Sequence, residues 1–577
     1  MAELILPGVY IEVRPEGLIV PGQISVGNLG VVGTASKGEI GQAVVVSSYA
    51  DAVQRFGPYD SFLDPSDPTK PRTDSLTLVR ALEQAFAFGA TTVFAVRVAG
   101  AANSKATFKI KSATGDNTTL TAKTAGTWAN NLFVNIADAE EDGFIEAETV
   151  PTSGTGALAV KRTKVIKSAR NRLTHVVDAT GVTRVFSAPN ILYGGGLPDD
   201  DAGAPTAGQI KIDRSSGAIS FDAAETPVAA DKLKASYVVE RAKAVKVTLR
   251  LGQTDEVYTV VDGKDLVADI NAASAWVTAK EEINAGELPT KSAPVDSFAP
   301  LKAGADGQAG ADYKAGLDVL LNEEAHIIVA AGQDDRFGNE LDKHCQKAST
   351  DVIKHDRIAV VGSKPQNPQQ TDAFFDYLRG HNLSSDRLIF VAPGIKATDA
   401  AATPPATVTL PGAYAAAAFA GFLSSLSAHI SPTNKVLPVD GLERDFTSPE
   451  LTQLVQRGIL LLEKRQGFRI VRGITTLPPG SAFAQITTRR IVDYAKFGVR
   501  SAATNYIGLL NNERVRGAMK ATVNSFLAEM VNDEMLISYD LLVSATRDEE
   551  RKGIARVTMT LRPTFSIDFI KVTMFLE

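Results

Sequence analysis

Three short segments constrain the architecture more than any other feature of the chain: "HIIVAA" from His326, "RIAVVG" from Arg357 and "RLIFVAPG" from Arg387. Each is apolar at successive positions, not alternate ones, so a strand formed there must be covered on both faces. Each follows a stretch that reads as helix: "YKAGLDVLL", the region near Asn339 to Lys354, and "DAFFDYLRG". Two-faced apolar strands joined by helical crossovers build a mainly parallel sheet. The same rhythm occurs once earlier, where "NLGVVGTA" precedes a helix predicted from Ser75 to Phe88 and the strand "TTVFAVRV".

Between these two blocks, from about 101 to 300, the composition shifts to Thr, Ala, Gly and Asp, with short alternating stretches such as "KAVKVTLRL" and "VYTVV". This reads as a β-rich insertion that interrupts one α/β domain. A second β patch, "QIKIDRSSGAISF", follows the turn-rich "GGGLPDDDAGAPTAG" and predicts a further insertion nested at about 145–240. At 577 residues the chain is too long for a single core. The expected organisation is an α/β domain at 24–100 plus 301–440, the insertion at 101–300, and an α+β domain at 441–555. That last domain is predicted to hold helices near Pro449 to Arg457, Thr487 to Ser501 and Asn512 to Val531, with strands at "GILLLE", "FRIVRGI" and "EMLISYDLLV".

Both ends read as strand-forming arms. Near the start, Val9, Ile11 and Val13 alternate with Tyr10, Glu12 and Arg14, and the stretch ends at "RPEGLIVPG". There Pro15, Gly17, Pro21 and Gly22 make a flexible joint within the arm assigned to 1–23. At the other end, "RVTMTLRPTFSIDFIKVTMFLE" from Arg556 alternates as a hairpin-like pair, with Phe565, Ile567, Phe569, Ile570, Val572 and Met574 in its second half. A strand with an unpaired edge exposes a row of N–H and C=O groups and requires a partner.

Composition narrows the function classes. The formal charge of -6 and pI near 5.7 argue against a mainly nucleic-acid-binding protein, since that role needs a concentrated basic surface. The single cysteine, Cys345, excludes an internal disulfide and points to a reducing compartment of synthesis. The beginning, "MAELILPGVYIEVRP", has no basic n-region and is broken by Pro7 and Gly8, so no secretion signal is expected. The apolar "YAAAAFAGFLSSL" from Tyr414 is shorter than the roughly 20 residues needed to span a bilayer and reads as a buried helix.

No catalytic or metal-binding constellation emerges. Gly27, Gly30 and Gly33 fit neither the dinucleotide fingerprint nor the P-loop, and Lys37 is followed by glycine. Adjacent His344 and Cys345 diverge by about 100° on a helix, and His326, His355 and His381 are scattered without metal-ligand spacing. Glu323, Glu324, Asp334 and Asp335 read as solvated or capping carboxylates. No cofactor is expected. The one local charge excess lies between Gln485 and Lys520, where Arg489, Arg490, Lys496, Arg500, Arg514, Arg516 and Lys520 face only Asp493 and Glu513. On the helix from Asn512, Val515, Met519, Val523, Phe526 and Met530 form a buried stripe, leaving Arg514, Arg516 and Lys520 off it. That face is either plainly solvated or docks onto an acidic partner.

The closing stretch, with Pro563 between two strands, resembles the C-terminus of contractile tail sheath proteins of bacteriophages and related injection systems. In the same order, "LPGVYIEV", "AGTWANNLFVNI", "LKAGADGQAGADYKAGLDVL", "AGFLSSLSAHISPTNKVL" and "RGILLLEKRQGFRIVRGITT" resemble further segments of that family. The likeness covers most of the chain and is weakest over roughly 145–240.

The resemblance implies a non-enzymatic structural subunit of the virion tail, assembled in the host cytoplasm. Its arms add strands to neighbouring subunits in a helical lattice of hexameric rings around a tail tube, and contraction drives the tube through the target envelope. The implied partners are other sheath subunits, the tube protein, and baseplate and terminator proteins, with no nucleic acid or membrane anchor. Arg514, Arg516 and Lys520 are then the candidate tube contact. Two other readings stand beside it: another assembling protein such as a baseplate or surface-layer component, and an enzyme on a doubly wound sheet.

Overall fold

In the computed structural model, residues 27–72, 74–152, 158–367 and 369–575 are described. The expected N-terminal arm (Val9, Tyr10, Ile11, Val13) and joint (Pro15, Gly17, Pro21, Gly22) lie outside them. The chain divides into two compact units, one formed by 1–101 with 308–577 and the other by 102–307.

The first unit is built on an eight-stranded sheet. Its order is Ala43–Val46, Val93–Arg97, Leu29–Gly33, Ile327–Asp334, Ile358–Gly362, Leu388–Ala392, Ile459–Lys464 and Phe468–Ile470. The inner strands run parallel, in registers such as Leu29↔Val93, Leu29↔Ile327 and Phe390↔Ile459. Only the two outermost strands are antiparallel to their neighbours.

Helices Leu78–Ala87 and Gly412–Ser424 cover one face of the sheet. Helices Tyr313–Leu320, Gly338–Ala348, Thr371–Arg379 and Ser448–Gln456 contribute to the core on the other. The alanine-rich 412–424 helix is buried almost throughout, as its composition predicts. Its small side chains permit close approach: a Cβ on Gly421 would stand 2.1 Å from the Ala85 carbonyl oxygen, and one on Gly362 would stand 1.8 Å from that of Gly412.

Two expectations are corrected. The boundary placed at 441 assigns "GILLLE" and "FRIVRGI" to the last domain, yet both strands complete the main sheet. The 459–464 strand is apolar on both faces like its neighbours, and a strand of that kind is stable only inside a covered sheet. A separate core begins with helix Ile486–Thr504, hereafter the anchor helix. Helix Glu513–Asn532 packs against it through the ring of Phe526, which lies over Gly498 and stacks on Tyr494. The second correction concerns the closing stretch. Only Arg556–Pro563 forms a strand, and its hairpin partner is Leu536–Ser544, not residues 564–575.

The second unit holds two apolar clusters. One is formed mainly by strands Thr107–Lys111, Asp116–Ala122, Leu132–Asp138, Val245–Leu251, Thr254–Val260 and Val277–Glu281 with helix Gly263–Ala273. The other draws on the sheet containing Gly143–Val150, Arg172–Val176, Thr183–Ser187 and Lys232–Val239, and on a small sheet of Ile191–Gly194, Ile210–Asp213 and Ile219–Phe221.

Candidate interaction surfaces of the carboxy-terminal region

Alternation along the closing hairpin fixes which side is covered. Val557, Met559 and Leu561 lie opposite Val543, Leu541 and Tyr539, and all six pack on the core of the two long helices. The intervening residues, including Leu542 at 56% exposure, face away. Each strand pairs only with the other among the described residues, so both outer edges of this two-stranded ribbon are open. A ribbon with two open edges is a template for strand addition.

Beyond Pro563 the chain has no strand partner among the described residues. Phe565, Ile567, Phe569, Ile570, Val572, Met574 and Phe575 are between 59% and 89% exposed. So many large apolar side chains exposed in one extended segment exceed the singly scattered hydrophobics of an ordinary surface. The root of this arm is fixed. The Thr564 N–H donates to the Met535 carbonyl at 3.1 Å, and the Gln485 side chain bonds both the N–H and the carbonyl of Ser566 at 3.3 Å. The Asp568 side chain, 6% exposed, accepts from Arg472 at 2.8 Å and Gln485 at 3.1 Å.

The basic excess between 485 and 520 resolves differently from its sequence appearance. Arg489 and Arg490 are buried, and Arg490 donates to the carbonyls of Leu426 (2.8 Å) and Ser427 (3.2 Å). Burial brings Arg490 down to about 10, leaving it charged at neutral pH. Asp493 takes a bidentate pair from Arg387 at 2.8 and 3.1 Å and a further bond from Arg489 at 2.6 Å. Arg489 also reaches Asp386 at 3.0 Å. Asp356, 4% exposed, collects Arg500 at 2.5 Å, Arg387 at 3.3 Å and Lys496. Burial alone would lower the Arg387 pKa, but Asp493 and Asp356 outweigh it and raise it.

These cations therefore tie the anchor helix to the loops preceding two strands of the main sheet. They were invisible to a sequence count because their carboxylates, Asp356 and Asp386, lie over a hundred positions away. The candidate contact residues separate too. Arg516 is paired with Glu550 at 2.9 Å and bonded to Asn511, which removes it from a free basic face. Arg514 and Lys520 are exposed. Six residues apart, they stand about 120° from each other around the helix, so they do not form one compact patch. An unanticipated feature precedes them: in the loop joining the two helices, Ile507 and Leu510 are 80% and 78% exposed.

The carboxyl ends of the parallel strands, where an enzyme on such a sheet places its site, are packed. Tyr313 donates to the Ala331 carbonyl at 3.0 Å with Thr77 beside its hydroxyl, and a Cβ on Gly332 would meet Thr77 at 2.5 Å. Gly30 serves packing as well, since a Cβ there would meet Ile328 at 2.8 Å. His344 and Cys345 are both buried. Burial and the nearby Arg357 lower His344 to about 3, and burial pushes Cys345 up to about 12. Neither is poised for proton transfer or nucleophilic attack. His326 is lowered to about 4, chiefly by burial and then by Arg357 and Arg490. His355 bonds the Leu321 carbonyl and His381 that of Arg457. Asp335 accepts from Tyr377, while Asp334 accepts from the Arg336 backbone and guanidinium. No cluster with metal-ligand composition occurs among the described residues, and no helix there is long and apolar enough to cross a membrane.

Comparison with known proteins places this geometry. Residues 306–476 match the phage tail sheath protein central domain, and 479–577 match the phage tail sheath C-terminal domain. A tail sheath protein of Bacillus phage SP01 is 25% identical over 229 residues, 38% of this chain; the match spans 38% of that relative's length. Two crystal structures of sheath tail proteins share the fold. That from Desulfitobacterium hafniense has a TM-score of 0.55 at 15% identity, covering 96% of this chain and 100% of its own. That from Listeria innocua has 0.54 at 13%, covering 95% and 97%.

Proposed function

We propose that this chain, a tail sheath protein by its central and C-terminal domains, is the structural subunit of a contractile tail, polymerising as a helical lattice around a tail tube. One observation carries the reading: among the described residues, a ribbon with two open edges and an apolar arm without a strand partner occur in the same subunit. The arm of one copy satisfies an edge of the next. Main-chain bonds supply cohesion, and alternating side chains set the register. A contact between two different surfaces propagates when its rotation does not close a ring, which produces a helix.

The N-terminal arm, Val9 to Val13, is the candidate for the second edge, and the joint from Pro15 to Gly22 lets that arm stay engaged while the body rotates. Contraction then proceeds without nucleotide: an extended lattice relaxes into a wider, shorter one and drives the tube through the envelope. Hexameric rings, a tube partner, and baseplate and terminator contacts at the lattice ends complete this reading, with assembly in the host cytoplasm. Arg514 and Lys520 remain the candidates for an acidic tube surface, Arg516 being engaged with Glu550. Exposed ion pairs worth about 0–1 kcal/mol each suit a contact that must release.

The test is negative-stain electron microscopy of the purified full-length chain. Long hollow helical tubes are expected. A monodisperse monomer at every concentration and ionic strength tried overturns the self-assembly reading.

A further inference from the structure

We infer that Arg472, Asp568 and Gln485 form a clamp that fixes the root of the C-terminal arm, dividing the closing segment into a held part ending at Phe569 and a reaching part from Ile570 onward. This rests on the assembly reading above and adds a positioning device to it. Asp568 is the only carboxylate between Arg556 and Met574, in a segment otherwise apolar, polar-neutral or basic. A lone carboxylate there weakens an apolar strand unless it is paired. Its Oδ2 accepts from Arg472 Nε at 2.8 Å and Gln485 Nε2 at 3.1 Å, and Thr433 Oγ1 lies 3.5 Å from Oδ1. The Arg472 guanidinium also lies 5.3 Å from the centroid of the Phe569 ring.

Three separate pieces of the chain thus converge on one arm residue. Thr433 lies before the 459–464 strand, Arg472 follows the sheet's edge strand Phe468–Ile470, and Gln485 immediately precedes the anchor helix. Gln485 binds both backbone groups of Ser566, so the peptide as well as the carboxylate is held. Next to the clamp, Phe569 is 75% exposed and Ile570 is 82% exposed. Fixing the root restricts the directions in which the reaching part leaves the subunit. That lowers the ordering entropy lost when the arm finds its neighbour, the usual benefit of pre-organisation.

The experiment compares full-length wild type with Asp568→Asn, Arg472→Met, Gln485→Ala and the conservative Arg472→Lys. Polymer is quantified by sedimentation, thermal stability by calorimetry, and amide hydrogen exchange is followed across 564–569. Asp568→Asn and Arg472→Met are expected to keep the wild-type melting profile and accelerate exchange at Ser566. They are also expected to raise the critical concentration for polymer about tenfold, equivalent to about 1.4 kcal/mol. Gln485→Ala is expected to raise it about threefold, and Arg472→Lys to stay near wild type. Critical concentrations unchanged in Asp568→Asn and Gln485→Ala, alongside wild-type polymers, overturn the clamp and leave the assembly reading intact. Absence of wild-type polymers overturns the assembly reading and the clamp's role with it.

Discussion

Asp493→Asn tests whether the anchor helix is held to the sheet by charge. In the native chain this carboxylate serves Arg387 and Arg489, whose side chains are 6% and 7% exposed. The substitution keeps the shape and removes the charge, leaving two guanidiniums beside a neutral amide in a nearly dry site. Removing one partner of a buried ion pair costs about 3–5 kcal/mol, and this case belongs at the lower end because Arg387 keeps Asp356 at 3.3 Å and Arg489 keeps Asp386 at 3.0 Å. Asp356→Asn belongs there too, since Lys496 and Arg500 are 31% and 27% exposed and can turn toward water, while Arg387 keeps Asp493. A surface control, Asp318→Asn, breaks a pair with Lys347 in which both side chains are more than half exposed, and is expected to cost about 0–1 kcal/mol.

Hydrogen exchange is the suitable assay, because both tryptophans, Trp128 and Trp276, lie in the 102–307 unit and do not report on this junction. Where exchange follows the opening equilibrium, a loss of about 3 kcal/mol accelerates amides of the anchor helix roughly a hundredfold. Tryptophan fluorescence stays unchanged. Acceleration below about tenfold in Asp493→Asn, or an effect no larger than that of Asp318→Asn, refutes the argument that buried charge holds the junction.

Truncation after Phe569 leaves the clamp and removes Ile570, Val572, Met574 and Phe575. Each contributes about 1.5–3 kcal/mol when buried, before ordering costs, so a folded subunit that forms no polymer by sedimentation is expected. Joint reversal, Arg514→Glu with Lys520→Glu, is expected to weaken co-sedimentation with an acidic tube protein while leaving sheath polymers unchanged, whereas undiminished binding removes both residues from that contact. Acid has opposite effects on the two units. His326 binds its proton near 4 instead of 6.5, so the unfolded chain takes up a proton that the folded one refuses as pH falls through that window. The stability of the first unit therefore declines from pH 6.5 toward 4, and His326→Gln reduces the decline while the share of His344, lowered to about 3, remains. Asp265 in the insertion is raised from 3.8 to about 7, chiefly by burial, so its contribution is full below pH 3.8 and is lost as pH rises toward 7. Tryptophan-monitored melting of the insertion is expected to show that loss in wild type and to lack it in Asp265→Asn.

The sheet was legible because its strands carry a local signal: "HIIVAA", "RIAVVG" and "RLIFVAPG" are apolar on both faces whatever surrounds them. "GILLLE" carries that signal as well, and a two-faced strand requires the covered main sheet, not the edge of the last domain. The basic excess misled for the opposite reason. Charge counted along the chain cannot register Asp356 and Asp386, which approach the anchor helix only through the fold. Along the closing stretch the apolar alternation is plain in the sequence, whereas the fixing of its root at Asp568 is not. The signal was one carboxylate in an apolar run, and its partners Arg472 and Gln485 lie more than eighty positions upstream.

The two kinds of contact in the carboxy-terminal region differ in what can disturb them. At the anchor helix, Asp493 and Asp356 each bind more than one cation, so a small displacement lengthens one bond while others hold. Salt screens such buried pairs little, and their angular demands resist sliding. The arm beyond Phe569 has the reverse character: apolar, with Lys571 the only charged residue from Ile570 to Phe575, and exposed without a strand partner among the described residues. In the proposed lattice its cohesion would come from side-chain burial and strand hydrogen bonds, which survive rotation of the body as long as the chain between them has slack. A subunit that changes its angle to its neighbours without losing them needs rigidity inside and compliance at the links. The clamp at Asp568 stands where the one gives way to the other.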